Sequence, residues 1–141
     1  EPCHHVAYLY NYLGEGWKCQ KWVRRVIDEF YGDQPGSLCG NDDCGQMSAW
    51  YMLSAMGFYP VNPVSGQYVF GAPQMEKITL RLVDGKTFTV KAEGLSKENK
   101  YVDYILLNGK RYNKPYINHA DIMKGGTLVY KMTSVKKHDK Y

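Results

Sequence analysis

The feature that most constrains this fold is the run Met47-Ser48-Ala49-Trp50-Tyr51-Met52-Leu53-Ser54-Ala55-Met56, which puts apolar side chains on nearly every face of a helix. A helix with one apolar stripe can lie on a surface, whereas one that is apolar all round must be enclosed by neighbours. Gly57 and Pro60 supply its stop signals. Directly upstream lies Leu38-Cys39-Gly40-Asn41-Asp42-Asp43-Cys44-Gly45-Gln46, a loop in which two adjacent carboxylates are bracketed by glycines. The chain therefore offers acidic groups at the N-terminal end of a helix that has to be buried.

The first third of the chain supplies two further helices. Residues 3–13 carry no breaker before Gly14, which suits a left-handed helix end. A second helix is predicted from Trp17 to Tyr31, with Trp22, Val23, Val26, Ile27 and Phe30 on one side and Lys18, Lys21, Arg24, Arg25 and Asp28 on the other. Joined this closely, the two should pack as an antiparallel hairpin. Two helices are too few to surround the apolar one, so helical neighbours are expected outside these residues. The opening Glu1-Pro2-Cys3-His4-His5, without an initiator Met, likewise reads as a piece of something longer.

After Pro60 the pattern changes to period two. Gln67–Phe70, Lys77–Val83, Lys86–Ala92, Tyr101–Leu107, Lys110–Tyr112 and Thr127–Met132 read as short strands, with Ile117–Ile122 as a connection or short edge. Asp84-Gly85 and Asn108-Gly109 are hairpin signals, because both residues of each pair tolerate positive φ. The expectation is an α+β chain with its helices in residues 1–60 and a small antiparallel β-sandwich in residues 61–141.

Composition excludes several function classes. With 44% hydrophobic and 23% charged residues the chain is an ordinary globular one, and no stretch is long and apolar enough to span a membrane as a helix. No signal peptide is recognisable. The net charge of +4 is modest, and the only basic cluster, Lys136-Lys137-His138-Asp139-Lys140, reads as a solvated tail rather than a nucleic-acid patch. Cys3, Cys19, Cys39 and Cys44 allow three pairings if oxidised. A zinc site from Cys3, His4, Cys39 and Cys44 is the weaker alternative, since no Cys-x-x-Cys knuckle is present.

For Asp42 and Asp43 the simplest reading is a helix cap. Asp43 stands three residues before Gln46, the spacing of a capping box with Asp43 as the N-cap. A loop carboxylate facing a cleft could instead take a proton from water. Inverting glycosidases do this with an acid roughly 6.5–9.5 Å away. The same oxygens, with Asn41, could also bind a hard cation such as calcium, although the spacing is not that of an EF-hand.

The run Gly40-Asn41-Asp42-Asp43-Cys44-Gly45-Gln46-Met47-Ser48-Ala49-Trp50-Tyr51, followed by Gly57-Phe58-Tyr59-Pro60-Val61-Asn62-Pro63, closely resembles glycoside hydrolase family 92, the calcium-dependent inverting exo-α-mannosidases. Glu1-Pro2-Cys3-His4-His5-Val6-Ala7-Tyr8-Leu9-Tyr10-Asn11-Tyr12, Gly66-Gln67-Tyr68 and Gly71-Ala72-Pro73 resemble it too. The resemblance implies that these are the last helices of an (α/α)6 barrel and its closing strands. It implies Asp43 as general base, with Asp42 and Asn41 in support. The general acid, a glutamate, has no counterpart here, and most calcium ligands are expected upstream, so no metal ligand is assigned in this chain. Glu1 matches a glutamate that contacts the leaving-group sugar in α-1,2-selective members, but the histidine that usually precedes it is missing. His4 is a candidate for the site wall. The implied partners are an α-mannoside glycan and the rest of a parent enzyme, in a periplasmic or secreted setting. The alternative is a non-catalytic carbohydrate-binding module using Tyr101, Tyr104, Tyr112 and Tyr116 as a platform.

Overall fold

Residues 3–137 are described by a computed structural model; Glu1 and the tail beyond Lys137 lie outside the described residues. A 3-10 helix, Val6–Leu13, comes first, where an α-helix was expected. It ends at Gly14 in the left-handed conformation (φ 69°), and the Asn11 side chain donates to the Tyr8 carbonyl inside it. Helix α1 (Gly16–Phe30) buries Cys19, Val23 and Ile27 along one stripe. Phe30 is exposed, and Trp22 is half-buried with Lys21 and Arg25 over its ring. Helix α2 (Gln46–Met56) is the apolar helix. Met47, Trp50, Ser54 and Ala55 are buried on one side, whereas Ser48, Ala49 and Met52 stay exposed. The enclosure its composition calls for is therefore only partly met within these residues.

Two sheets follow. Strands β1 (Phe58–Tyr59), β2 (Gln67–Phe70) and β7 (Tyr116–Asn118) form one, in the order β1-β2-β7. Strands β3 (Lys77–Arg81), β4 (Thr87–Glu93), β5 (Tyr101–Leu107), β6 (Lys110–Tyr112) and β8 (Gly126–Thr133) form the other, in the order β3-β4-β8-β5-β6. Of the stretch Ile117–Ile122, read as a connection or short edge, the start belongs to the edge strand β7 and the rest to helix α3 (His119–Met123), which leads to β8. Asn108-Gly109 makes the two-residue hairpin turn as read, whereas Asp84-Gly85, also at positive φ, lies in a longer connection with a 3-10 turn (Val83–Gly85) between Arg81 and Thr87. All pairings are antiparallel except one. Strand β4 runs parallel to β8, with Phe88 opposite Gly126 and Glu93 opposite Lys131. That corrects the all-antiparallel expectation, because alternation shows which face of a strand is buried but not the direction of its partner.

Two apolar clusters hold these layers together. One joins Phe58, Phe70 and Ile117 of the smaller sheet to Phe88, Val90, Ile105, Leu128 and Tyr130 of the larger, with Leu53 and Met56 of α2 against it. The other gathers Tyr8, Cys19, Val23, Ile27 and Trp50 around Val69 of β2. Each cluster thus draws residues from both sides of residue 60. Polar contacts follow the same seams. Tyr8 donates to Ser54 Oγ at 2.8 Å, and Gln20 of α1 accepts from the Val102 amide of β5 at 3.0 Å. Burial holds the Tyr8 and Tyr130 hydroxyls far above the usual phenol range, so both remain neutral donors.

The end of α2 is the tightest junction. Gly57 sits at φ 98°, and its carbonyl accepts from the Tyr130 hydroxyl and from the Gly71 amide, both at 2.8 Å. A Cβ at Gly57 would stand 3.0 Å from the Tyr130 ring and 3.1 Å from Pro73. Gly57→Ala therefore combines a disfavoured backbone with a collision in packed surroundings, and the backbone part alone costs roughly 1–3 kcal/mol. Calorimetry should show the thermal midpoint of this variant lower by at least about 4 °C. An unchanged midpoint would mean that the junction relaxes freely.

Candidate functional site

The carboxylate loop leaves α1 at Tyr31 and runs exposed through Cys39, Gly40 and Asn41 to Asp42. Asp43–Gly45 then form one 3-10 turn, in which Cys44 (φ 54°) and Gly45 (φ 74°) are both left-handed. Two consecutive residues of this hand fold the chain back sharply, and Cys44 adopts it despite its Cβ. The turn is closed by the Gly45 amide donating to the Asp42 carbonyl at 2.9 Å and by the Gln46 amide donating to the Asp43 carbonyl.

This geometry corrects the capping expectation. Asp43 is not the N-cap of α2; that position falls to Gly45, which has no side chain to cap with. Asp42 reaches over the turn instead. Its Oδ1 accepts from the Ser48 amide at 2.9 Å and its Oδ2 from the Ser48 hydroxyl. The Ser48 contacts, side chain first and amide second, hold the Asp42 carboxyl below its usual range. Gln46 does not close a capping box either. Its amide nitrogen lies 2.6 Å from His4 Nδ1. With Asp42 consumed by Ser48, the Asp43 side chain stands exposed, without a hydrogen-bond partner among the described residues.

Behind the loop lies an aromatic stack. His4 lies on Trp50 (centroids 5.1 Å apart), Trp50 on Tyr31 (5.4 Å) and Tyr31 on Tyr51 (5.4 Å). His4 Nε2 meets the Tyr31 hydroxyl at 3.1 Å, and the His4 carbonyl accepts from Trp50 Nε1 at 3.0 Å. An Nδ1 that accepts from Gln46 and an Nε2–H that donates to Tyr31 make one neutral tautomer. Burial, first of all, keeps the His4 imidazole below its ordinary value. The Tyr31 hydroxyl is pushed up to about 12, mainly by burial and then by Cys39 and Asp42 nearby. Beside the loop a cleft of about 310 Å³ opens between the end of α1 and the approach to the motif, lined by Phe30, Tyr31, Leu38 and Cys39 among others.

The residues singled out in the sequence are distributed as follows. Asn41, Asp42 and Asp43 share one exposed loop, His4 is buried behind it, and Glu1 lies outside the described residues. Trp50 is core, and Trp17 is half-buried between Lys18 and Lys136. Cys3, Cys39 and Cys44 are exposed, and Cys19 is buried with its thiol donating to the Phe70 carbonyl at 3.7 Å. Tyr101 is buried and the Tyr104 ring lies under Arg111 at 3.7 Å, so the proposed tyrosine platform is not laid open. Sequence reasoning missed Ser48 and Tyr31. Ser48 could have been found as the third residue of the helix, whose amide commonly donates to a capping carboxylate; Tyr31 carries no local signal. Among the described residues no group of three His, Cys, Asp or Glu side chains could hold a metal. Asn41 and Asp43 are oxygen donors of the kind calcium takes, but a shell of roughly six to eight oxygens needs more than this loop supplies.

The Asp42 clamp has a pH signature. Ser48 binds the ionised carboxylate, so its stabilising contribution is complete above the unfolded Asp value of about 4 and is lost as pH falls through the lower folded value. Hydrogen exchange at the Ser48 amide should show protection that persists below about pH 4 and then collapses. In Asp42→Asn that acid step should disappear. A Ser48 amide insensitive to pH in the parent protein would remove the clamp from the account.

Comparisons with known proteins show the family of the chain. Residues 1–134 match the glycosyl hydrolase family 92 catalytic domain. The structure of a family GH92 alpha-mannosidase from Bacteroides thetaiotaomicron, in complex with mannoimidazole, is 51% identical with a TM-score of 0.94, covering 99% of this chain and 18% of that one. A family GH92 inverting mannosidase of the same species is 40% identical with a TM-score of 0.90, over 99% of this chain and 19% of the other. An uncharacterised secreted glycosidase of Arthroderma benhamiae is 33% identical over 131 residues, 91% of this chain and 17% of its own length. The chain thus spans less than a fifth of these relatives. No helix among the described residues is long and apolar enough to cross a membrane. The match of residues 1–134 to the catalytic-domain model, together with a fold shared at this identity, places the chain in glycosyl hydrolase family 92.

Proposed function

We propose that this chain furnishes the general-base segment of an inverting exo-α-mannosidase that removes terminal, preferentially α-1,2-linked, mannose. Asp43 is the base. It takes a proton from a water molecule as that water attacks the anomeric carbon from the face opposite the leaving group. Asp42 fixes the turn through Ser48, and Asn41 and Glu1 contact the sugar. His4 supports the site from behind. The observation that carries this reading is the division between the two carboxylates: one has both oxygens committed to Ser48, the other is exposed and has no partner among the described residues. Its support from the comparisons is the likeness to a structure described as an inverting mannosidase. The adjoining cleft of about 310 Å³ is at the small end of ligand sites, which run roughly 300–1,000 Å³.

The acid that must protonate the departing oxygen is assigned to the remainder of a parent enzyme, as are most ligands of the calcium ion. That ion, when bound, would polarise the sugar hydroxyls. The setting is periplasmic or secreted, in keeping with the secreted relative.

Residues 1–134 grafted in place of the matching segment of the 51%-identical α-mannosidase should give an active chimera. Proton NMR of the first product should show the β-anomer of mannose. Asp43→Asn in the chimera should lower kcat by roughly a hundredfold to ten-thousandfold, the range of general-base catalysis. Full activity in that variant would sink the assignment. The isolated chain, incubated with an α-1,2-mannobioside and calcium, should release no mannose at an enzymatic rate.

A further inference from the structure

We infer that His4 and Gln46 form a positioning pair for the backbone that carries Asp43; the inference rests on the reading of Asp43 as the base. The connection runs through three contacts. The Gln46 amide donates to the Asp43 carbonyl, so the place of Asp43 depends on the place of Gln46. The Gln46 side chain is held by His4 Nδ1 at 2.6 Å. His4 is itself fixed on every side: Nε2 at the Tyr31 hydroxyl, ring on Trp50, carbonyl on Trp50 Nε1. A residue far upstream in sequence thereby governs the turn at the start of α2.

The turn needs such an anchor. Residues 39–44 are exposed, and two of the residues that follow Asp43 are left-handed, so packing does little to hold the loop. Asp42 and Ser48 clamp the side before Asp43. On the side after it, the Gln46 side chain is the only one that reaches from the turn into the aromatic stack among the described residues. Gln46 Oε1 is buried and has no hydrogen-bond partner among the described residues. A buried carbonyl without a donor is unfavourable. The orientation of the amide is therefore set by its contact with His4 rather than by a pocket that satisfies both ends. Neither residue touches the reacting atoms; both act through the Asp43 main chain.

The test uses Gln46→Met, which keeps the length of the side chain and removes the amide, and His4→Phe, which keeps the ring on Trp50 and removes Nδ1. Hydrogen exchange at the Gly45 and Gln46 amides should quicken about tenfold in either variant, the loss of one hydrogen bond. Amides of Val90 and Leu128 should keep their protection. In the parent protein, nitrogen NMR should find Nδ1 of His4 unprotonated, with its shift altered in Gln46→Met. In the chimera, Gln46→Met should lower kcat about tenfold with KM nearly unchanged. Unchanged exchange at Gly45 and Gln46, or a uniform loss of protection across the core, would overturn the positioning role. Retained activity in Asp43→Asn would instead strike the base reading and leave the exchange result standing, so the two failures are separable.

Discussion

The carbonyl of Gly57 accepts two hydrogen bonds, one from the Tyr130 hydroxyl and one from the Gly71 amide, and the remaining architecture depends on that junction. It fixes the end of α2 against both sheets at once. The start of the same helix is fixed by Asp42 on Ser48, its middle by Trp50 Nε1 on the His4 carbonyl and its last turn by Tyr8 on Ser54. A helix pinned at its start, middle and end is a rigid mount, and the carboxylate loop is attached to one of its ends. Precision in a side chain carried by such a loop comes from the element behind it rather than from the loop itself.

Much of this was legible in the sequence. Gly57 and Gly14 end their helices in the left-handed conformation that only glycine adopts without strain. Asp84-Gly85 and Asn108-Gly109 turn as their composition requires, and the buried faces of β3 and β4 follow the alternation of Ile78, Leu80, Phe88, Val90 and Ala92. Local chemistry sets these features. The parallel pairing of β4 with β8 was not legible, because no residue within either strand encodes the direction of a distant neighbour. Nor was Val69 of β2 readable as part of the helical cluster.

The site divides in the same way. That Asp42 and Asp43 share a loop at a helix start follows from their place between Gly40 and Gly45. Which of them caps does not. The capping-box count assumes an unbroken helical rise from the cap onward. Left-handed Cys44 breaks that rise, so a carboxylate one residue further back reaches the helix and the nearer one is turned away. An exchange of tasks between adjacent aspartates thus depends on one backbone angle at a residue whose side chain has no part in either task. The likeness to family 92 identified the loop and implied different roles for its two aspartates; the structure adds that Asp42 is the one held by Ser48.

The parallel β4–β8 pairing has a consequence for how the chain assembles. The β3–β4 and β5–β6 hairpins close over short distances, through Arg81 opposite Thr87 and Leu107 opposite Lys110. They do not pair with each other. Strand β8 lies between them and is the last strand among the described residues. During synthesis two local hairpins therefore wait with open edges until Gly126–Thr133 emerges, and joining them carries the entropy of closing every loop in between. The centre of the larger sheet is the last part of it to be made.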